Sequence, residues 1–387
     1  MESECALTSG YPAAAPAEGE RPENPAYLSE QLITYLGNKR ALLGFIGEGL
    51  EIVRARLGKK KLDSFDAFSG SGIVSRYLKR YSRTLWANDL ERYSGTINRC
   101  YLTNREDFPE REFIECFREI EWALENRHLE GGLIAELYAP KDNDAIGKGE
   151  RAFYTTRNAR YIDTARALID QVPEALRDFF LAPLLSEASI HANTAGVFKG
   201  FYKNSETGLG QFGGKNGDAL PRIRGDIALR RPVLSDHSCD SRVLTRDANE
   251  TCALLPEVDV AYLDPPYNQH PYGSNYFMLN VILENRRPRA VSPISGIPPD
   301  WNRSRYNKRE RARSALAELV AGINAKFLLV SFNSEGFIAR DEMESILGRH
   351  GPITVLETGY NAFRGSRNLR ARGLHVREYL FLLEKNR

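Results

Sequence analysis

The sequence predicts an α/β fold: a doubly wound sheet with an antiparallel C-terminal hairpin, interrupted by a large insertion of helices and loops. Between residues 61 and 89, a strand, a glycine turn, a helix and a second strand ending in an acid follow one another. That order is typical of the first part of a doubly wound nucleotide-binding sheet. A mostly apolar, β-prone strand later runs into Asp264, and the strand-like segments 353–363 and 376–384 close the chain as an antiparallel pair.

The composition is that of an ordinary globular protein and narrows the function only slightly. The chain has 387 residues and a net charge of +2, which excludes neither DNA nor a small-molecule partner. No apolar run approaches the roughly 18 residues of a membrane span, so we expect no membrane association. The five cysteines include no Cys-x-x-Cys pair and the six histidines are scattered. We therefore expect reduced thiols, a cytoplasmic location and no metal.

Changes in composition along the chain predict three regions. Residues 1–27 are rich in Ala, Pro and Glu without a signal-peptide pattern, and we interpret them as a flexible tail. Residues 28–100 and 240–387 carry the strand periodicity and form one catalytic domain. Residues 101–239 change to polar helices and loops, which predicts an insertion into that domain.

Hydrophobic periodicity predicts the individual elements. In the first part of the chain, a helix reaches from Gln31 to about Leu57 after a Gly37-Asn38 turn, and a strand, a helix and a strand follow at Lys61–Phe68, Ile73–Tyr81 and Thr84–Asn88. The insertion holds helices at Glu110–Leu129 and Ala159–Leu185 and a loop at 199–217. Strands return near Val243 and at Val258–Leu263, and a basic helix at Asn307–Lys326 precedes a strand at Phe327–Phe332.

The stretch Asp264-Pro265-Pro266-Tyr267 is suited to holding a flat heterocycle by its amino group. Asp264 follows a buried strand, and open α/β sheets place their ligands at the carboxyl ends of strands. Two prolines turn the backbone and free its carbonyls. A carboxylate and a carbonyl can both accept hydrogen bonds from an exocyclic amine, and the Tyr267 ring offers a stacking face. The same pattern also occurs where a strand simply ends in a proline turn.

A second group of residues is suited to a nucleoside-containing cofactor. Phe68-Ser69-Gly70-Ser71-Gly72 joins a strand to a helix, and Asp89 ends the next strand, where an acid can accept hydrogen bonds from ribose hydroxyls. Upstream, Tyr35, Gly37 and Lys39 form either a helix-initiating turn or a site in which Lys39 faces a ligand carboxylate. The glycine spacing is shorter than the dinucleotide fingerprint, which disfavours NAD. An aromatic ring, a lysine, two acids and a glycine turn suit S-adenosyl-L-methionine.

Together these motifs resemble the D12-class, Dam-type adenine-specific DNA methyltransferases. Tyr35–Lys39 is similar to that family's N-terminal cofactor motif, Phe68–Gly72 to its glycine motif, Asp89 to its ribose-binding acid and Asp264–Tyr267 to its catalytic tetrapeptide. The order of the motifs also agrees, and stretches at 330–337 and 360–366 extend the resemblance. Asn38 stands where the family often has glycine.

The resemblance implies a Rossmann-like methyltransferase sheet that binds S-adenosyl-L-methionine and methylates a flipped adenine in double-stranded DNA. It implies a monomeric, cytoplasmic and nucleoid-associated prokaryotic enzyme, which either works beside a restriction endonuclease that acts separately or is an orphan methylase. Asp247 either contacts the cofactor's adenine or is a solvent-facing acid. Two alternatives stay open, namely an RNA base-amino methyltransferase and an inactive DNA-binding partner subunit.

Basic patches are the candidate DNA contacts. Arg303 and Arg305 begin one patch near Trp301, and Arg364, Arg367 and Arg370 lie in the turn of the predicted hairpin. A third set of lysines and arginines lies in the insertion. Charge runs of this kind also occur on merely solvated faces. Tyr272, Tyr276 and Phe277 either cover the flipped base or, more commonly for such aromatics, pack in the core.

Overall fold

The computed structural model describes residues 22–214, 217–361 and 375–386. In this part of the chain one sheet has seven strands in the order β3-β2-β1-β4-β5-β7-β6. The strands are β1 (Leu62–Asp66), β2 (Ser82–Asp89), β3 (Asp240–Thr245), β4 (Val258–Leu263), β5 (Ala325–Asn333), β6 (Ile353–Asn361) and β7 (His375–Glu384).

Helices cover both faces of the sheet and fill the segment between β2 and β3. They are α1 (Pro25–Ser29), α2 (Leu43–Leu57), α3 (Ile73–Leu78), α4 (Arg92–Leu102), α5 (Glu110–Asn126), α6 (Leu133–Tyr138), α7 (Thr156–Ile169), α8 (Glu174–Ile190), α9 (Leu220–Arg224), α10 (Ala248–Thr251), α11 (Tyr272–Asn275), α12 (Phe277–Glu284), α13 (Arg309–Gly322) and α14 (Arg340–Leu347). None of those helices is long and apolar enough to cross a membrane.

The strand directions confirm the predicted fold class. Strands β3, β2, β1, β4 and β5 run parallel to one another, whereas β7 runs antiparallel between β5 and β6. The predicted C-terminal hairpin is therefore present as β6 and β7. The strand order reverses between β1 and β4, and in open α/β sheets this reversal opens the crevice where ligands bind.

The sheet is buried on both faces, which explains its nearly continuous apolar strands. Val260 and Tyr262 of β4 pack with helices α2 and α3 on one face. Ala261 and Leu263 point to the other face and pack with α13 and α14. This alternation leaves the residue that follows β4 at the edge of the core, where its side chain reaches the crevice.

The helical segment after β2 packs against helices that flank the sheet. Side chains of α5, α7 and α8 share one apolar core with α4 and α12. Within it, the rings of Phe113 and Phe180 have their centroids 4.7 Å apart. The described residues between Leu102 and Asp240 contribute no strand to the seven-stranded sheet.

Three predicted helices have different bounds in the structure. The helix predicted from Gln31 begins only at Leu43, because Gly37 adopts a left-handed φ of 73° that a helix cannot contain. The helix predicted at Ala159–Leu185 is two helices, since Pro173 interrupts the pattern between α7 and α8. The predicted basic helix at Asn307–Lys326 is shorter and corresponds to α13.

Candidate active site

An open cleft of about 700 Å³ lies at the carboxyl ends of β1, β2 and β4. Several of the predicted site residues border it together, although they come from distant parts of the sequence. The predicted residues that line the cleft are Tyr35, Gly37, Phe68, Asp89, Asp247, Asp264 and Pro266. The crevice expected from the strand order is thus the place where these motifs meet.

The tetrapeptide 264–267 begins directly after β4, whose six residues are all buried. The side chain of Asp264 keeps 17% of its surface exposed, toward the cleft. The backbone carbonyl of Tyr267 accepts a hydrogen bond from the Phe337 amide at 3.0 Å, and the Tyr267 ring lies edge-on to Phe332. These contacts with the region after β5 hold the tetrapeptide in place.

The glycine turn connects β1 to α3 and shapes one wall of the cleft. Gly70 and Gly72 have φ values of 52° and 77°, in the left-handed region that disfavours other residues. The Ser69 amide donates to the Asn88 carbonyl at 2.8 Å, which ties the turn to β2. Among the described residues that line the cleft, the turn contributes Phe68, whereas Gly70 and Gly72 set the backbone path.

Asp89 ends β2 and is held by backbone amides. Its Oδ2 accepts from the Gly70 amide and its Oδ1 from the Glu91 amide, both at 2.8 Å. Burial raises the pKa of Asp89 to about 6, although these hydrogen bonds favour the carboxylate. Each carboxylate oxygen can accept a second hydrogen bond, so Asp89 retains acceptor capacity for ligand hydroxyls.

The N-terminal motif is fixed by tyrosines that follow the tetrapeptide. The Tyr35 ring stacks on Tyr272 and Tyr276 at centroid distances of 4.9 and 4.8 Å. The Leu36 amide donates to Tyr276 Oη at 2.8 Å, and Tyr272 Oη donates to the Leu36 carbonyl at 2.9 Å. Tyr276 and Phe277 are buried in the core, as expected for most such aromatics, whereas Tyr272 lines the cleft.

Lys39 faces protein carboxylates. Its side chain is only 3% exposed, and its Nζ lies 3.4 Å from Asp264 Oδ1 and 3.6 Å from Glu378 Oε2. The same Nζ lies 5.4 Å from the centroid of the Tyr267 ring. The sequence places Lys39 either in a helix-initiating turn or opposite a ligand carboxylate, and in the structure its ammonium connects the N-terminal motif with the tetrapeptide.

Burial dominates the electrostatics of the cleft. Desolvation raises the pKa of Asp264 to about 6; the Lys39 ammonium acts in the opposite direction and Glu378 adds to the rise. Behind the cleft, burial raises the pKa of Asp66 to about 7, although Ser75 Oγ donates to its Oδ2 at 2.6 Å. Perturbed carboxyl groups around a cleft are typical of a functional site.

Comparison with known proteins identifies the family. The model of the family described as D12 class N6 adenine-specific DNA methyltransferase matches residues 35–292. The chain belongs to this family. It is therefore a DNA methyltransferase, and the methyl donor that the family implies is S-adenosyl-L-methionine. The match confirms the resemblance seen in the sequence motifs.

Curated relatives of this D12-class chain are modification methyltransferases. It is 28% identical over 364 residues to the Type II methyltransferase M.NlaIII of Neisseria lactamica, covering 91% of this chain and 99% of the relative. It is 26% identical to the Type II methyltransferase M.CviAII of Paramecium bursaria Chlorella virus 1, covering 88% and 98%. With the Type II methyltransferase M.FokI of Planomicrobium okeanokoites it shares 26% identity, covering 91% of this chain but 52% of the relative.

The residues of the D12-class cleft fit the methyl donor that the family implies. Asp264 Oδ1 is buried and has no hydrogen-bond partner in the described part of the chain, and Asp89 has remaining acceptor capacity. Acidic groups suit a ligand that carries a sulfonium charge and ribose hydroxyls. Asp247 lines the cleft while its Oδ1 caps α10 by accepting from the Asn249 amide at 2.8 Å. Over the described ranges, no cluster of His, Cys, Asp or Glu could hold a metal ion.

Sequence reasoning missed several residues of the cleft. Glu91 is 2% exposed, and its Oε2 accepts from Asn280 Nδ2 at 2.8 Å and from Asn302 Nδ2 at 3.3 Å. Burial raises the pKa of Glu91 to about 7. Another part of the cleft wall comes from Asn302, Ser304, Tyr306 and Asn307. Glu91 is two residues from Asp89, which was a usable signal, whereas the polar segment 302–307 has no distinctive pattern.

Two of the three predicted basic patches, at residues 303–305 and 364–370, have different outcomes. The Arg303 guanidinium stacks on Trp301 at 4.2 Å from the ring centroid and donates to the Pro299 carbonyl at 3.0 Å. Arg305 forms an ion pair with Glu318 at 2.7 Å, and its side chain remains 38% exposed. Both arginines adjoin the wall of the cleft formed by residues 302–307. Arg364, Arg367 and Arg370 lie outside the described residues.

Proposed function

We propose that this DNA methyltransferase transfers a methyl group to the exocyclic amino nitrogen of an adenine rotated out of duplex DNA. The observation that supports this most directly is the position of Asp264. Its carboxylate follows β4 at the reversal of the strand order and borders the cofactor cleft, with 17% of the side-chain surface exposed. Its Oδ1 is buried beside the Lys39 ammonium, so an amine in the cleft would meet the other carboxylate oxygen.

The proposed chemistry relies on polarisation and positioning. The lone pair of an adenine amine is delocalised into the ring, which makes the nitrogen a poor nucleophile. Hydrogen bonds from the amine to the Asp264 carboxylate and the Pro265 carbonyl localise that lone pair on nitrogen. Pro266 fixes the turn, and the Tyr267 ring stacks on the base. The amine releases its proton only after the methyl group has been transferred, so Asp264 is not assigned as a simple base.

Each motif has a different role in the proposed cofactor site. S-adenosyl-L-methionine, when bound, supplies an electrophilic methyl group. Asp89 accepts hydrogen bonds from the ribose hydroxyls, while Tyr35, Gly37, Phe68 and Asp247 line the cleft around the nucleoside. Gly70 and Gly72 keep the turn narrow, and Lys39 orients Asp264.

We further propose a role in restriction and modification, because the relatives are named Type II methyltransferases and modification methylases. In this proposal the chain acts as a monomer in the cytoplasm and a separate endonuclease cleaves unmodified DNA. Residues 28–100 and 240–387 form the catalytic domain, and the insertion 101–239 contains the region that recognises the target sequence.

Replacement of Asp264 tests the catalytic proposal. Asp264→Ala should reduce transfer of tritiated methyl to unmethylated duplex DNA by at least about 10³-fold, because the amine loses its charged acceptor. Binding of S-adenosyl-L-methionine should persist. Asp240→Ala is the control, since Asp240 lies on β3 and is 57% exposed. Mass spectrometry of the wild-type product should show N6-methyladenine, and full activity of Asp264→Ala would remove Asp264 from the mechanism.

The same assay addresses the RNA alternative. Wild-type enzyme should methylate duplex DNA and leave ribosomal RNA unmodified under identical conditions. Methyl transfer to ribosomal RNA without transfer to DNA would contradict the proposal, and the absence of transfer to either would favour an inactive partner subunit.

A further inference from the structure

Glu378 is a buried acid that the mechanism above does not use. It lies on β7, opposite Asn333 of β5 and Thr358 of β6. Its side chain is 4% exposed, and its Oε2 has no hydrogen-bond partner in the described chain. A buried carboxylate oxygen without a hydrogen bond is costly, so a functional or electrostatic reason for this one is expected.

The Lys39 ammonium lies between Glu378 and Asp264. Its distances to the two carboxylates are 3.6 and 3.4 Å, both longer than the 2.7–2.9 Å typical of a charge-assisted hydrogen bond. The ammonium is therefore shared, and neither acid holds it closely. Two carboxylates and one ammonium leave this buried group with one more acid than base.

Without Glu378, Lys39 would have a single carboxylate partner at this position. A close ion pair would then form between Lys39 and the buried Oδ1 of Asp264, and it would draw negative charge away from the carboxylate oxygen that faces the cleft. The shared arrangement leaves that cleft-facing oxygen a stronger acceptor while still retaining one positive charge near Asp264.

We propose that Glu378 is a positioning residue that holds the Lys39 ammonium away from Asp264, so that the Asp264 oxygen facing the cleft stays a strong acceptor for the amino group of the target base. The inference rests on the proposed role of Asp264 in methyl transfer. Other titratable groups that face Asp264 are Tyr262 of β4, Tyr272 of α11 and Asp66 of β1. Of the charged side chains that shift the pKa of Asp264, Lys39 lowers it and Glu378 raises it.

Glu378→Gln separates the electrostatic role from a structural one. The variant is nearly isosteric but lacks the charge. Lys39 should then move onto Asp264, and the single-turnover methyl-transfer rate on unmethylated phage DNA should fall about tenfold or more. Because the charge that opposed ionisation of Asp264 is gone, the acid limb of the pH–rate profile should also move to lower pH. The dissociation constant for S-adenosyl-L-methionine should change by less than about threefold.

Two further variants complete the test. Glu378→Asp keeps the charge and should return the acid limb close to its wild-type position, even if the shorter side chain lowers the rate. Glu384→Gln removes an acid from the same strand that instead pairs with Arg56 at the surface, and it should leave rate and profile unchanged. Thermal unfolding of each variant shows whether it is folded at the assay temperature.

The outcomes distinguish this inference from the proposed function. If the wild-type enzyme transfers methyl groups to DNA but Glu378→Gln has the same rate and acid limb, the positioning role is wrong. A lower rate with an unmoved acid limb and a lower unfolding temperature would also overturn it, because that pattern indicates a structural role. If Glu378→Gln does not fold, Glu378→Asp provides the test. An acid limb of its pH–rate profile that differs from that of the wild type would show that the charge of Glu378 does not set the limb. Absence of methyl transfer by the wild type would refute the proposed function instead.

Discussion

A Cβ atom at Gly70 would lie 2.7 Å from Cε1 of Tyr35. The glycine turn and the N-terminal motif are thus in direct contact, although each follows from a separate sequence pattern. The Gly70 amide also donates to Asp89 at 2.8 Å. One glycine therefore connects three predicted parts of the cofactor site, and its replacement should affect all of them.

Gly70→Ala should weaken binding of S-adenosyl-L-methionine by about tenfold or more. The new Cβ displaces the Tyr35 ring, and the left-handed backbone at φ 52° costs an alanine about 1 kcal/mol of stability. Gly58→Ala is the matched control, because Gly58 has φ 64° and a Cβ added there would meet no described atom within 4 Å. Calorimetry and thermal unfolding should show a similar loss of stability in both variants but weaker cofactor binding only in Gly70→Ala. Equal cofactor affinities would contradict the assignment.

Asp66 should make the protein less stable as the pH rises. Its pKa is about 7 in the native state and about 4 in an unfolded chain, so between these values the native state binds more protons. Stability from this group is present below about pH 4 and is lost as the pH rises through about 7. Asp66→Asn should therefore gain up to about 4 kcal/mol relative to the wild type across that window, measured by urea unfolding.

The control for Asp66 is Asp63, which lies on the same strand and has a pKa shift in the opposite direction. Hydrogen bonds from Arg83 and Thr84 lower the pKa of Asp63 below its usual value, against the effect of desolvation. Its contribution is present above the unfolded pKa and is lost as the pH falls through the native one. Asp63→Asn should thus lose stability relative to the wild type at neutral pH and recover it in acid. If the stability of both variants relative to the wild type changed with pH in the same direction, burial of Asp66 would not explain the opposite pKa shifts of the two acids.

Cofactor affinity should increase with pH. Asp89, Glu91 and Asp264 have pKa values of about 6, 7 and 6, and a bound sulfonium favours their charged forms. Binding should release protons between about pH 5 and 7, and affinity should level off above that range. Titration calorimetry in two buffers of different ionisation enthalpy measures the protons released. S-adenosylhomocysteine, which lacks the sulfonium charge, should release fewer, and equal release by both ligands would contradict the prediction.

The patch around Arg303 and Arg305 should contribute to DNA affinity through phosphates. Replacing both by alanine should weaken binding and reduce the slope of log affinity against log salt by about 1.8, since each phosphate contact contributes about 0.9. Arg83→Ala is the control, because Arg83 is 71% exposed near the amino end of β2, away from the cleft at the carboxyl ends, and pairs with Asp63. Fluorescence anisotropy of labelled duplex DNA at several salt concentrations measures the slope. An unchanged slope in the double variant would show that these arginines contact Trp301 and Glu318 but not DNA phosphates.

Local pattern was sufficient for the sheet and for the positions of its main motifs. The burial of β4 and the prolines after it place Asp264 at a strand end, and glycines with positive φ mark the turn before α3. These features depend on the preferences of neighbouring residues, which a sequence displays directly. The hydrophobic pattern predicted helix boundaries less well, as the start of α2 at Leu43 rather than Gln31 shows.

The sequence by itself determined the α/β class, the family and the residues Asp89 and Asp264 at the ends of their strands. Only the tertiary structure decided what those residues contact. In the sequence, Glu378 is a charged residue on the otherwise apolar face that it shares with Leu380 and Leu382. Its contact with Lys39 depends on the position of β7 between β5 and β6. Such contacts join distant parts of the chain, and their register follows from packing of the whole sheet rather than from local preference.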